Sequence, residues 1–323
     1  MHVLGAGAIG LLHGFYSRST LFLVRPSRAH PTSCNQILTV QTLLPGNQEI
    51  SKSVQVKPAA GLEVGEIKSL LITTKANDVV SAFKSVEYSL DRNASVVILC
   101  NGALGVIDEM KKYLLDRSAT LNVNLYSGFT THGAMRSSQW RVKHTGMGCT
   151  KIGGVGNVKE TCQDLEMTMM DWAKPLDATW IPNSSLTRSL VMKLAVNCCI
   201  NPLATLYNCP NGDLLKIDKA MAQMSEICNE ISLVFPNASL KSQDLYENVC
   251  NIAFATAKNR NSMLVDVENN RKTEIDYLTG TSQLVALIIC IIRTCSNKIK
   301  RDGHQDTSQH RDLPTNSKSN QEK

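Results

Sequence analysis

Met1-His-Val-Leu4-Gly5-Ala6-Gly7-Ala8-Ile9-Gly10 opens the chain, and its reading decides the fold. Met1 to Leu4 predicts a short apolar strand, and the run from Ala8 to about Arg18 predicts a helix. Leu21 to Val24 predicts a second strand. A G-x-G-x-x-G turn between a strand and a helix is the pattern of a dinucleotide-binding unit. Gly5 permits the tight turn, Gly7 lets a pyrophosphate approach the backbone, and Gly10 allows close packing of helix on strand. The helix N-terminus then faces the phosphates. Gly5, Ala6, Gly7, Ala8, Ile9 and Gly10 are therefore the first candidate cofactor-binding residues.

The second strand runs into Val24-Arg25-Pro26-Ser27-Arg28, where an NAD-binding protein is expected to place an acidic residue against the ribose 2′-hydroxyl. No acidic residue occurs before Glu49. Arg25, helped by Ser27 or Arg28, would instead hold a 2′-phosphate through charge-assisted hydrogen bonds, which favours NADP. The alternative is a loop of surface arginines.

Further along, Ile37 to Leu43 and Ile50 to Val56 flank the turn Pro45-Gly-Asn and predict a β-hairpin inserted after the second strand. Strands are expected at Ser69 to Thr73 and at Ser95 to Leu99, with helices over Asp78 to Leu90 and Val106 to Leu115 as crossovers. Lys75 and Asn101 thus fall at the carboxyl ends of parallel strands, where open α/β sheets bind ligands. Leu121 to Phe129 and the glycine-rich segment through Gly156 read as more strands. His132 lies in a strand-end loop, as either a catalytic or a structural histidine. A helix is expected around Glu160 to Trp172, and another begins after Pro182. From there β signals fade, leaving helical patterns at Leu214 to Phe235, Asp244 to Ala257 and Thr273 onward. The expected fold class is α/β, with an N-terminal Rossmann-type parallel sheet domain (1–182) followed by an all-α C-terminal domain (183–295). The apolar run Leu284 to Ile292 is too short to span a bilayer, and the polar segment 296–323 is expected to be disordered.

Within the helical half, Lys193-Leu-Ala-Val-Asn197-Cys-Cys-Ile-Asn201-Pro repeats a polar residue every fourth position in apolar sequence. On a helix this lines one ammonium and two carboxamides along one face. A lysine in such a setting is unfavourable unless something ionised or hydrogen-bonding faces it, so either a ligand meets Lys193 or its stem snorkels to solvent.

Composition sets the outer bounds. The chain has 323 residues, 43% hydrophobic and 19% charged, enough for two domains with a cleft between them. Part of the net charge of +6 belongs to the tail, so no nucleic-acid reading follows. Eleven cysteines are scattered without CxxC or Cys/His spacing, which argues for a reducing compartment and no metal site. No signal-peptide pattern occupies residues 1 to 20, so a cytoplasmic location is expected, with no membrane partner.

Taken together, Gly5-x-Gly7-x-x-Gly10, Lys75, Asn101-Gly102, Thr130-Thr-His-Gly, Lys193-x3-Asn197-x3-Asn201-Pro, Cys209-Pro-Asn211-Gly, Ser262-Met-Leu-x-Asp266 and Thr273-Glu274-Ile-Asp-Tyr277 resemble the ketopantoate reductases (2-dehydropantoate 2-reductases), in order over roughly residues 1 to 282. The resemblance implies NADPH-dependent reduction of ketopantoate to pantoate, a step of pantothenate biosynthesis, in a cleft between a Rossmann domain and a helical domain. It implies Lys193 as proton donor, and Glu274 is then either its catalytic counter-charge across the cleft or a carboxylate at a helix N-terminus after Thr273. Asn101, Asn197, Asn201, Asn211 and Ser262 would hold the substrate; Lys75, Asn101 and Glu274 would meet the cofactor. A small 2-oxo acid is the expected partner of a monomer or homodimer. The alternatives are a reductase of another 2-oxo acid and a catalytically weak NADP-binding relative. After Gly280 the chain departs from the family's usual pattern of helix, turn and closing helix.

Overall fold

The computed structural model describes residues 1–17, 20–24, 34–43, 46–59, 62–117, 121–156 and 174–275. Among these, eleven strands form one sheet, in the order β11-β10-β7-β6-β5-β1-β2-β4-β3-β9-β8. The strands are β1 (His2–Leu4), β2 (Leu21–Val24), β3 (Cys34–Gln41), β4 (Glu49–Pro58), β5 (Ile67–Ile72), β6 (Leu90–Leu99), β7 (Asn124–Thr130), β8 (Gly133–Ser138), β9 (Arg141–Gly146), β10 (Thr150–Gly154) and β11 (Ala178–Trp180). Its centre, β4-β2-β1-β5-β6-β7, is parallel throughout, the strand order of a doubly wound dinucleotide fold.

Alternation along each central strand divides the residues between two faces. Leu4, Leu23, Leu70, Ile72, Val96, Ile98 and Leu125 pack on one side with Val79 and Phe83 of α2 (Val79–Lys84) and Val106 and Met110 of α3 (Ala103–Asp116). Val3, Phe22, Val24, Leu71, Val97, Leu99 and Tyr126 pack on the other with Leu11 and Leu12 of α1 (Ala8–Tyr16). Burial on both faces explains why these short strands read as nearly continuous apolar runs.

Two expectations are corrected here. The hairpin is no insertion: β4 pairs in parallel with β2 and completes the central sheet, while β3 pairs antiparallel with β4 and carries β9 and β8 outward. The helix expected over Asp78 to Leu90 is confined to α2 and flanked by 3-10 turns at Ala76–Asp78 and Glu87–Ser89. Ser85 stops it, its hydroxyl and amide both bonding back to the Ala82 carbonyl, and Leu90 already belongs to β6. The expected helix at Glu160 to Trp172, the segment at Arg25 and everything after Ile275 lie outside the described residues.

After β11 the chain turns helical: α4 (Asn183–Tyr207), α5 (Asp218–Val234), α6 (Ser242–Ala255) and α7 (Ser262–Glu268). Helix α4 is the spine of the molecule. Leu186 and Leu190 belong to the sheet's core, whereas Val191, Leu194, Cys198 and Leu203 belong to a separate helical core with Met224, Ile227 and Val249. Length and apolarity alone would suit α4 to a membrane, yet 61% of its most apolar window is buried inside the molecule. Pro202 lies within it and offers no N–H to the carbonyl four residues back.

Candidate functional site

At the start of α1 the glycines have different reasons to be there. Gly5 has φ +116°, and a Cβ on Gly10 would lie 2.0 Å from the Gly5 carbonyl oxygen, so the protein's own packing requires both. Gly7 is extended, and a Cβ there would meet nothing nearer than the Thr73 carbonyl at 3.9 Å. Packing inside the protein does not demand a glycine there, and the missing side chain leaves room for a ligand. Thr73 Oγ1 donates to the Gly5 carbonyl at 2.8 Å and fixes the turn. No side chain caps α1 and no acid occupies its first turn, so the leading amides suit an anion. Thr74 Oγ1, on the residue whose backbone abuts Gly5, is buried without a hydrogen-bond partner among the described residues. This cradle fits the diphosphate of a dinucleotide.

A pocket opens where the strand ends meet α4, lined by Cys100, Asn101, Gly102, Ala103, Leu104, Phe129, Leu190, Lys193, Leu194 and Asn197. One wall is polar and the other apolar. Lys193 stands where α4 passes from the sheet's core into the helical core, which places its ammonium at the seam. Its Nζ donates to the Thr130 carbonyl at 2.6 Å and lies 5.6 Å from the centre of the Phe129 ring. Burial pushes its pKa down to about 8, opposed first by the Glu274 carboxylate and then by the thiols of Cys100 and Cys149. Such an ammonium gives up its proton more readily than an exposed lysine. Burial, with Glu274 adding to it, pushes the Cys100 thiol well up, so it stays protonated and is no nucleophile.

Two bridges tie the sheet's strand ends to the segment around and after α7. Glu274 accepts from the Ala76 amide at 3.2 Å and from Asn101 Nδ2 at 3.1 Å. Lys75 Nζ donates to Asp266 Oδ2 at 2.8 Å and to the Lys272 carbonyl at 3.0 Å, and Arg271 holds the other Asp266 oxygen at 3.0 Å. Glu274 therefore faces the cleft and acts on Lys193 through space, without an ion pair between them among the described residues.

Of the residues singled out by sequence, Asn101, Lys193 and Asn197 come together in the pocket, with Glu274 bound to Asn101 and Lys75 one bridge away. Asn201 continues the stripe along α4 beyond the pocket lining. Asn211 is buried and committed elsewhere: its Nδ2 donates to Thr256 Oγ1 at 3.0 Å, and its Oδ1 accepts from Asn261 at 3.4 Å. Ser262 is exposed in the first turn of α7, whose cap is Asn261. Arg25 lies outside the described residues. His132 is structural, because both ring nitrogens are bound: Nε2 to the Leu176 carbonyl at 2.7 Å, Nδ1 to the Gly148 amide and to His144.

Sequence reasoning missed the apolar wall of Leu104, Phe129, Leu190 and Leu194, and the role of Asp266. Phe129 immediately precedes Thr130, whose carbonyl ends β7, and Leu190 and Leu194 sit three residues before and one after Lys193. Their positions were a usable signal. For Asp266, partner to a lysine 191 positions away, spacing offered none.

Comparison with known proteins agrees with this geometry. Residues 1–157 match the model of the ketopantoate reductase PanE/ApbA family, and residues 185–286 match the ketopantoate reductase PanE/ApbA C-terminal model. A 2-dehydropantoate 2-reductase of Escherichia coli O157:H7 is 33% identical over 217 residues, covering 65% of either chain. That match thus spans less than two thirds of this relative's length. The 2-dehydropantoate 2-reductase of Vibrio cholerae is 29% identical over 282 residues, 86% of this chain and 88% of its own. The solved structure of D-mandelate dehydrogenase with NADH and anilino(oxo)acetate superposes with a TM-score of 0.75 at 19% identity, over 93% of this chain and 99% of that one, which speaks for a shared fold. With matching models on both its sheet and helical halves, the chain belongs to the ketopantoate reductase family.

Proposed function

We propose that the protein is an NADPH-dependent 2-dehydropantoate 2-reductase that converts ketopantoate to pantoate for pantothenate biosynthesis. The observation that carries this reading is the Lys193 ammonium at the seam of the two cores, beside Asn101 and Asn197 and at the end of the parallel sheet. The part up to residue 182 is the cofactor domain and 183–295 the substrate domain, in a cytoplasmic monomer or homodimer. The nicotinamide cofactor, when bound, supplies the hydride for the keto carbon. Gly5 to Gly10 would hold its diphosphate, while Lys75, Asn101 and Glu274 line its approach to the pocket. Arg25 would select the 2′-phosphate. As the carbonyl oxygen gains charge, the Lys193 ammonium stabilises it and then donates its proton. Thr130's carbonyl and the Phe129 ring orient that ammonium, and Glu274 keeps it charged. The Asn101 and Asn197 carboxamides orient a carboxylate or hydroxyl; Asn201, Asn211 and Ser262 as substrate contacts rest on the family resemblance alone.

An assay of NADPH oxidation with ketopantoate tests the reading, run beside NADH and a series of 2-oxo acids. Turnover preferring NADPH and ketopantoate is expected; equal use of NADH would remove the role of Arg25. A second reading is favoured by the wall of Leu104, Phe129, Leu190 and Leu194, which would suit a different 2-oxo acid with a bulky apolar substituent. A higher kcat/KM for such an acid than for ketopantoate would establish it.

A further inference from the structure

A dinucleotide's diphosphate is doubly negative, yet residues 1 to 17, which form the first strand, the glycine turn and α1, contain no Lys or Arg. Lys75, at the next strand end, is committed to Asp266 and to the Lys272 carbonyl. Among the described residues, the cation that does reach the turn comes from far away. Strand β8 is the outer edge of the sheet, five places from β1 in strand order. The β8–β9 hairpin nevertheless folds back onto α1, and Arg136 Nη1 donates to the Ala6 carbonyl at 3.2 Å, across 130 positions of sequence. Arg136 is exposed, and no carboxylate pairs with it among the described residues. One donor of its planar fork is used by Ala6. The geometry of a guanidinium leaves further N–H groups for an anion beside the same turn.

We propose that Arg136 is a cofactor-contacting residue whose guanidinium, anchored on Ala6, clamps the diphosphate held by the glycine turn. This rests on the dinucleotide reading of Gly5 to Gly10 and adds to it a residue from the sheet's far edge. The contact supplies the positive charge that the turn lacks, and it lies away from the pocket around Lys193. It acts on binding rather than on the chemical step.

The test is equilibrium titration of the full chain with NADPH, ADP-ribose and adenosine 2′-monophosphate, which carries no diphosphate. Arg136→Ala and Arg136→Gln are expected to weaken NADPH and ADP-ribose by about tenfold or more, the usual loss for a charged hydrogen bond, with adenosine 2′-monophosphate unchanged. Arg136→Lys should recover part of the affinity, since it keeps the charge but not the fork. Melting temperature and turnover at saturating NADPH should stay near those of the unmodified protein. Unchanged ADP-ribose affinity in both variants would overturn the proposal and leave Arg136 as a brace for Ala6. An equal loss for adenosine 2′-monophosphate would overturn it too, by moving the arginine to the other phosphate. If the unmodified protein bound none of the three ligands, the dinucleotide reading itself would fall.

Discussion

His132 and Lys193 meet at the same strand end and are used in opposite ways. Lys193 donates to the carbonyl of Thr130, the last residue of β7, and His132 follows two residues later. His132 is saturated by its own fold. Its Nε2 meets the Leu176 carbonyl at 2.7 Å, and its Nδ1 accepts from the Gly148 amide at 3.1 Å and lies 3.0 Å from His144 Nε2. Lys193 has three N–H donors and spends one on Thr130, beside a pocket with two carboxamides. Burial alone does not separate a structural titratable group from a functional one; unspent hydrogen-bonding capacity facing a cavity does.

Replacing the two residues should break the molecule in different ways. Lys193→Ala is expected to lower turnover about a hundredfold or more, roughly 2.7 kcal/mol of lost transition-state stabilisation, with NADPH affinity barely changed in a folded protein. Near-normal turnover would return this lysine to a packing role. His132→Ala should do the reverse. It strands the Leu176 carbonyl and the Gly148 amide in the interior and should cost about 1–3 kcal/mol in urea unfolding, with kcat nearly intact in the protein that stays folded. A large fall in kcat with unchanged stability would make His132 part of the chemistry.

Acid should single out the histidine side of this comparison. His13 is fully buried on α1, and its pKa is pushed down from 6.5 to about 3, first by burial and then by His132 and His144. Between those values the unfolded chain binds a proton that the folded chain does not. The contribution is therefore fully present above pH 6.5 and is lost as pH falls toward 3. The urea midpoint should drop across that interval, and His13→Leu should flatten the slope; an identical slope in the variant would remove His13 as its source.

Base should single out the lysine, with the smallest effect. A donor with a pKa of about 8 must be protonated to act, so turnover should decline as pH rises through about 8. Glu274 holds that value up, so Glu274→Gln should move the alkaline limb to lower pH. A limb unmoved by the substitution would show that Glu274 does not act on Lys193 electrostatically.

Much of this was legible in the chain. The glycine turn, the apolar strands and the fourfold polar stripe on α4 are local patterns, and local patterns survive in sequence because neighbouring residues must satisfy one backbone geometry. The short α2 was misread because a Ser85 hydroxyl that bonds back to Ala82 competes with a periodicity that still looks helical. The β3–β4 hairpin was recognised but misplaced, since a strand's pattern records which faces are buried and not which partner it pairs with.

By itself, then, the sequence determined the doubly wound class, the helical second half, and the choice of Asn101, Lys193 and Asn197 as candidates that share one pocket. Tertiary structure alone decided that Asn211 is consumed by Thr256 and Asn261 and that Lys75 is held by Asp266. It alone decided that Arg136 arrives at Ala6. The physical reason is the same in each case. A side chain's hydrogen-bonding capacity is spent on whatever the packed chain brings within about 3 Å, and across some 45 to 190 residues no spacing rule encodes that partner.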